Sequence, residues 1–106
     1  MKKLVFFVPQ THLEHVKTAL FEVGAGRMGD YEHCCWQTLG TGQFKPMPGA
    51  TPFIGQSGQL EHVSEYRVEL VCDDACIKEA VKALRHAHPY EEPAFDVINL
   101  IDPESL

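Results

Sequence analysis

The sequence predicts an α+β domain in which two helices cover one face of an antiparallel sheet. Short apolar segments alternate in the order strand, helix, strand, strand, helix, strand, which is the split βαβ plan. The chain has 106 residues, the length of one domain, so we expect a single domain over residues 1–106. Its hydrophobic fraction of 44% and charged fraction of 23% are typical of a globular protein with a real core.

The opening of the chain predicts the first strand and the first helix. Residues 3–8 are an apolar run typical of a buried central strand. The pattern Thr11-x-x-Glu14 predicts a capping box at the start of a helix. Gly24 predicts its end, because glycine adopts left-handed backbone without steric penalty. Between them, apolar residues follow helical spacing at Leu13, Val16, Leu20 and Val23.

The middle of the chain predicts a second strand and a long loop. Residues 31–39 are rich in Tyr, Cys, Trp and Thr, and a glycine-bracketed turn at residues 40–42 follows them. Residues 46–59 are rich in Pro and Gly and show no periodicity, so we predict a loop with Phe53 and Ile54 tucked under it. Loops of this length are often functional, but a surface excursion packed on itself or on a neighbouring subunit fits equally well.

The second half predicts a strand, a helix and a final strand. Residues 63–72 predict the third strand, which should lie beside the first at the centre of the sheet. Asp73 is the predicted N-cap of the second helix, and Asp74 would complement its dipole. The apolar stripe of this helix is Ile77, Ala80, Val81, Leu84 and Ala87. Residues 94–101 predict the last strand.

One face of the predicted sheet has no helix to cover it. That face must be polar, or another subunit must cover it. Trp36, Phe44, Tyr66 and Phe95 are too many aromatic residues for one helix-covered face. We therefore expect a symmetric homo-oligomer that stacks or edge-joins these sheets.

Composition excludes several classes of function. The net charge is −6 and only nine Lys and Arg are scattered along the chain, which argues against nucleic-acid binding. No apolar run approaches the roughly 20 residues that span a bilayer, so we expect no membrane partner. The apolar run at the N-terminus is too short for a signal peptide and reads as a strand of a cytoplasmic protein. The four cysteines should then be reduced.

The densest group of chemically active side chains follows the second helix, around a turn shaped by two prolines. It consists of His86, His88, Tyr90, Glu91 and Glu92. Carboxylates beside a histidine can bind a divalent cation or transfer protons. The structural alternative is a helix-to-strand turn in which Tyr90 caps the core and the glutamates stay solvated. No arrangement of an activated nucleophile stands out.

The spacing Gly24-x-Gly26-x-x-Gly29 matches the dinucleotide-binding fingerprint, but the predicted elements around it do not. That motif must follow a strand and open a helix, whereas this one follows a helix and opens a strand. The favoured interpretation is a helix C-cap and a glycine-shaped crossover. The alternative is a loop whose free amides cradle an anion, with Arg27 beside it.

The remaining soft ligands have poor spacing for a metal. Cys34 and Cys35 point to opposite faces of a strand, so they cannot close a tetrahedral site with His33 alone. His33 and Cys35 share a face and could meet residues of another chain. Cys72 and Cys76 lack the two-residue spacing of redox or zinc pairs and are interpreted as structural.

Four segments resemble the inserted domain of the Nif-three-like proteins. They are residues 24–34 (GAGRMGDYEHC), 40–46 (GTGQFKP), 49–55 (GATPFIG) and 88–96 (HPYEEPAFD). The insert is similar in fold to the CutA and PII proteins, which are ferredoxin-like and usually trimeric. CutA proteins also carry a His-Pro-Tyr-Glu sequence like that at positions 88–91.

The resemblance implies what the chain should lack. Full-length family members build a dinuclear metal centre from two segments that flank the insert. We expect the chain to be a stand-alone version of the insert, without counterparts of those ligands. The resemblance therefore implies that the family's hydrolase or cyclohydrolase label does not carry over and that the chain is not an enzyme.

Three functional hypotheses follow. The first is a non-catalytic, oligomeric ligand-sensing module, a trimer rather than a dimer, that binds a small molecule or anion between subunits. Its cleft would be lined by the loops at residues 24–31 and 49–58 and by the turn at residues 88–92. The candidate residues are Gly26, Arg27, Gly29, Tyr31, His33, His88, Tyr90, Glu91 and Glu92.

The second hypothesis is a protein that binds a divalent metal ion as its one candidate cofactor, resembling what is suggested for CutA. Its ligands would be His33, His88 and Glu91, or Glu92 in place of Glu91. The third and weakest is an enzyme that uses His88 and Glu91 as acid and base.

Overall fold

A computed structural model describes residues 1–106 and shows one four-stranded antiparallel sheet with two helices. The elements in chain order are β1 Lys2–Pro9, α1 Leu13–Glu22, β2 Trp36–Phe44, β3 Glu61–Cys72, α2 Ile77–Ala87 and β4 Phe95–Asn99. The strand order is β2-β3-β1-β4, so β1 and β3 are central. The predicted α+β split βαβ plan, the ferredoxin-like fold, is confirmed. Neither helix is long and apolar enough to cross a bilayer.

The core lies between the sheet and the two helices. Alternate residues of β1 point into it, because side chains alternate between the faces of a strand. The largest fully buried side chains in this layer are Leu4, Phe6 and Val8 of β1, Val68 of β3, Val16 and Leu20 of α1, and Leu84 of α2. Each such side chain contributes about 1.5–3 kcal/mol by leaving water, so this layer holds most of the stability.

The opposite face of the sheet carries both apolar and charged side chains. Val5 and Phe7 of β1 lie on it beside Glu69 and Arg67 of β3. Glu69 pairs with both Lys3 at 3.6 Å and Arg67 at 3.7 Å, so part of the charge is neutralised within the chain. Trp36 on the same face remains 60% exposed. This face is neither uniformly polar nor covered, and assembly of identical copies stays a prediction.

The hairpin of β2 and β3 extends beyond the rest of the sheet. β1 pairs with β3 only as far as Pro9 opposite Glu65. Residues 41–44 and 61–64 therefore form a two-stranded arm without a third strand. The arm gives the molecule its elongated dimensions of 49 × 26 × 24 Å.

Two sequence-based boundaries in the middle of the chain are wrong. β2 begins at Trp36 instead of residue 31, and residues 31–35 are mostly irregular. Gly40 and Gly42 lie inside β2 and pair with β3, and no turn forms there. Pairing along the whole arm outweighs the weak strand preference of glycine. β4 is also shorter than predicted and ends at Asn99.

The predicted helix starts are wrong, whereas the predicted end of α1 is confirmed. Thr11 does not cap α1, because its hydroxyl contacts the ring of His12 at 2.8 Å within a short 3-10 turn. Asp73 accepts the first amides of α2 through its backbone carbonyl, and its side chain makes no cap. Asp74 binds the N-terminal amine at 2.9 Å instead. Gly24 ends α1 with a φ of 96°.

Candidate functional site

The turn between α2 and β4 places a histidine inside the protein. α2 ends at Ala87, and His88 is extended, because a residue before proline is excluded from helical geometry. The side chain of His88 is consequently directed back toward β1, and only 5% of the residue is exposed. His88 thus occupies the edge of the sheet where β4 has not yet begun.

Both ring nitrogens of His88 bind backbone groups. The Tyr90 amide can only donate, so Nδ1 accepts it at 3.1 Å. The ring proton is thereby assigned to Nε2, which donates to the Phe7 carbonyl at 2.7 Å. Burial lowers the pKa of His88. Neither nitrogen of His88 is free within the chain, which does not favour the predicted roles of His88 as a metal ligand and as an acid or base; those roles stay predictions.

Tyr90 and Glu65 form the second polar contact of the site. The Tyr90 hydroxyl donates to Glu65 Oε2 at 2.7 Å. Burial and this carboxylate raise the pKa of Tyr90. The Glu65 carboxylate lies over Gly42, where a Cβ would collide with it. A glycine in the strand therefore provides the space that this carboxylate occupies.

Glu91 holds the long loop against the turn. Its Oε1 accepts the Thr51 amide at 3.2 Å, and its Oε2 accepts the Thr51 hydroxyl at 2.6 Å. These bonds, first the hydroxyl and then the amide, lower the pKa of Glu91. Both carboxylate oxygens thus serve the loop, which is a structural role that the sequence did not suggest.

A cleft of about 560 Å³ opens between the loop, the arm and the turn. This volume is typical of a small-molecule site. Its apolar walls are formed by Phe7, Phe44, Pro46, Met47, Pro48, Ala50, Pro52, Phe53, Ile54 and Ala94. Its charged or phenolic side chains are Lys45, Glu65, Tyr90, Glu91 and Glu92. The predicted residues Tyr90, Glu91 and Glu92 thus come together here.

The other predicted ligand-binding residues lie at the far end of the sheet. Gly26 donates its amide to the Val71 carbonyl at 2.8 Å, and its carbonyl accepts the Cys34 amide at 2.8 Å. Val71 pairs with Lys3, whereas the cleft lies near Pro9. That stretch of β1 spans about 20 Å at about 3.4 Å per residue. One chain therefore does not bring the two regions into one cleft.

The local structure around Gly26 explains its glycine spacing without an anion. The amide of Gly26 is already paired, and its φ is 78°. Met28 and Tyr31 exchange two backbone bonds of 2.9 Å around Gly29, which has a φ of 56°. These features favour the helix C-cap and crossover interpretation. Arg27 lies beside them and is exposed.

The predicted metal site is not assembled. His33 stacks on Phe21 with ring centroids 4.7 Å apart, at the end of the sheet away from His88 and Glu91. No group of three or more His, Cys, Asp or Glu side chains converges anywhere in the chain. The chain by itself does not bring His33, His88 and Glu91 together, nor the same set with Glu92 in place of Glu91, and this metal site stays a prediction.

Sequence reasoning missed several residues of the cleft. Glu65 lies 25 residues before Tyr90, and only the strand pairing brings them together. Phe44, outside the segments predicted to line the cleft, has its ring centroid 6.1 Å from that of Tyr90, and Phe53 of the predicted loop is 6.5 Å away. The one available signal was the presence of apolar side chains in a segment rich in Pro and Gly.

The chain is similar to proteins with a cyclohydrolase name. It is 50% identical over 103 residues to the GTP cyclohydrolase 1 type 2 homolog of Mycobacterium tuberculosis, covering 97% of this chain and 27% of the relative. It is 45% identical over 97 residues to the homolog of Bacillus subtilis, covering 92% and 26%. The chain spans about a quarter of the length of these relatives. No family model matches it.

Two solved structures show the same fold. The Bacillus cereus protein related to NIF3 superimposes with a TM-score of 0.81 at 44% identity, covering 95% of this chain and 26% of that one. The PII-like protein CutA from Nostoc superimposes with a TM-score of 0.69 at 19% identity, covering 100% and 86%. The second likeness concerns the fold alone. The chain therefore corresponds in sequence to a domain-sized segment of the Nif-three-like proteins, and it has the PII-like fold of CutA.

Proposed function

We propose that the chain is a non-catalytic binding module that holds a small molecule in the cleft beside Tyr90. The observation that carries this proposal is the cleft itself. It has apolar walls, a partly buried polar contact between Tyr90 and Glu65, and a volume of about 560 Å³. Apolar concave sites with a few convergent polar groups are the usual form of small-molecule sites.

The non-catalytic part of the proposal rests on how the polar groups are used. His88 gives both nitrogens to the backbone, Tyr90 donates to Glu65, and Glu91 binds Thr51. Both nitrogens of His88 are thereby occupied, so this imidazole has no free donor or acceptor for a proton-transfer step. We propose that any cyclohydrolase activity of the relatives resides outside the quarter of their length that this chain matches.

We further propose that identical copies assemble, with a trimer expected. Trp36 on the helix-free face is 60% exposed, and Ile98 on the same face is 45% exposed. The two-stranded arm and the open edges of β2 and β4 offer unpaired backbone groups. Light scattering should report three times the mass of the chain, and Trp36→Glu should reduce the assembled fraction. A wild-type monomer would refute this part.

We also propose a cytoplasmic location for the module. All four cysteines are unpaired, although Cys72 and Cys76 lie at the junction of β3 and α2. Unpaired thiols are typical of reducing compartments. Fractionation of cells that produce the protein with an untagged N-terminus tests this placement.

A small-molecule screen read by amide NMR shifts tests the binding proposal. Hits should shift the amides of Phe53 and Tyr90 and leave those near Tyr31 unchanged. Phe53→Ala should weaken the best hit by about tenfold, because its half-exposed ring forms a wall of the cleft. Tyr31→Ala removes an aromatic ring at the far end of the sheet and is the matched control. Hits that bind only near Tyr31, or equal losses in both variants, would contradict the proposal.

A further inference from the structure

The charges that line the cleft are unbalanced. Glu65, Glu91 and Glu92 contribute three carboxylates, and Lys45 contributes one ammonium group. The seven ion pairs of the chain include none of these four residues. The cleft therefore carries a net charge of −2, from three negative groups and one positive group. An anionic ligand would be repelled by this balance.

Glu65 is the most buried of the three carboxylates that line the cleft. It lies on the central strand β3, is partly buried, and receives one hydrogen bond, from the neutral hydroxyl of Tyr90 to Oε2. Its other oxygen, Oε1, accepts no bond from the protein and lies above Gly42. Partial burial of a carboxylate without a cationic partner costs free energy, because its charge loses water and gains no opposite charge. A positively charged group in the cleft would complete it.

The walls around this carboxylate are suited to a cation that carries an apolar body. Rings of Phe44, Phe53 and Tyr90 line the same cleft. The face of an aromatic ring attracts ammonium groups through its quadrupole. The absence of any three convergent metal ligands makes a bare divalent ion a poor fit.

We infer that the cleft binds a small organic cation, an ammonium group on an apolar body, with the ammonium on Glu65 and the body among the aromatic rings. This inference rests on the proposed function, because it assigns the ligand class of the same cleft. Lys45, the one cationic side chain of the lining, is exposed, whereas Glu65 is partly buried.

Three probes of similar size test the inference: phenethylammonium, phenethyl alcohol and phenylacetate. Each is titrated into the full chain, and the dissociation constant is taken from the amide shifts of Phe53 and Tyr90. Phenethylammonium should bind at least about tenfold more tightly than the alcohol, because a charge-assisted bond is stronger than a neutral one. Phenylacetate should bind most weakly.

Glu65→Gln should abolish the preference for phenethylammonium over phenethyl alcohol. Glu69→Gln is the matched control, because Glu69 lies on the same strand and face but does not line the cleft. Equal affinity for ammonium and alcohol, or a preference that survives Glu65→Gln, overturns the inference while binding in the cleft still stands.

The remaining outcomes separate failure of the inference from failure of the proposed function. If none of the three probes shifts the cleft amides although hits from the screen do, the inference fails and the proposed function stands; if neither probes nor screen shift them, both fail. If the same amides shift on dilution of the protein alone, a second copy fills the cleft and both fail. Should Glu65→Gln not fold, the comparison of the three probes on the wild-type chain still decides the ligand class.

Discussion

Replacing His88 with alanine should destabilise the protein by about 3 kcal/mol. The imidazole is 5% exposed and is the partner of two backbone groups, the Phe7 carbonyl and the Tyr90 amide. Alanine leaves both groups without a partner in the interior, and each such group costs about 1–3 kcal/mol. The total should lie toward the lower end of the sum of these two costs, because relaxation of the adjoining turn would let water reach the Tyr90 amide.

Urea unfolding followed by circular dichroism measures this loss. With an m value of roughly 1.5 kcal/mol per molar, a loss of about 3 kcal/mol lowers the midpoint by about 2 M. His88→Asn is the matched variant, because its amide oxygen can still accept the Tyr90 amide but cannot reach Phe7. It should lose about half as much as His88→Ala. A loss below about 1 kcal/mol for alanine would refute the structural role of His88.

The same histidine should make stability depend on pH. Burial lowers the pKa of His88 in the folded protein, whereas in the unfolded chain it titrates near its usual 6.5. Below pH 6.5 the unfolded chain therefore binds more protons than the folded protein. Stability should fall as the pH decreases from 6.5 toward the folded pKa, by at most about 1.4 kcal/mol per pH unit. His88→Asn should lack this component, and a wild-type slope equal to that of the variant would contradict the reasoning.

The remaining predictions concern the two ends of the sheet. Gly26→Ala should destabilise by at least about 2 kcal/mol in urea unfolding, because its φ is 78° and a Cβ would lie 2.8 Å from the Cys34 carbonyl. Gly29→Ala, at a φ of 56° with nothing nearby, should lose only about 1 kcal/mol, and equal losses would sink the steric argument. Glu91→Gln should speed hydrogen exchange of the Thr51 amide. The hydrogen bonds to Thr51 lower the pKa of Glu91 below its usual 4.5. Protection of the Thr51 amide in the wild-type protein, corrected for intrinsic exchange, should therefore be present above pH 4.5 and disappear as the pH falls through the lowered pKa. Protection that does not change with pH would contradict this.

The architecture could be predicted because local patterns determine it. The apolar run of residues 3–8, the helical spacing of Val16 and Leu20, and the glycine at position 24 each specify their elements within a few residues. The helix starts could not be predicted equally well. Thr11 and Asp73 have suitable side chains, but the backbone enters each helix through a turn that gives those side chains no amide to bind.

The candidate site could be predicted only in part. The turn at residues 88–93 was identified from its density of polar side chains between two prolines, and Tyr90 does line the cleft. The backbone contacts of His88 could not be predicted, because its hydrogen bonds to the Phe7 carbonyl and the Tyr90 amide depend on where β1 passes. His33 was grouped with His88 by residue type alone, but the two histidines lie toward opposite ends of β1.

The sequence by itself determined the order of the elements, the apolar stripe of each helix, and the turn that carries the site. Those properties depend on periodicity and backbone preference over short segments, and both can be read from the sequence alone. Only the tertiary structure decided that Glu65 meets Tyr90 and that Gly42 of β2 leaves room for its carboxylate. Such contacts depend on strand register, and register is set by the packing of the whole sheet.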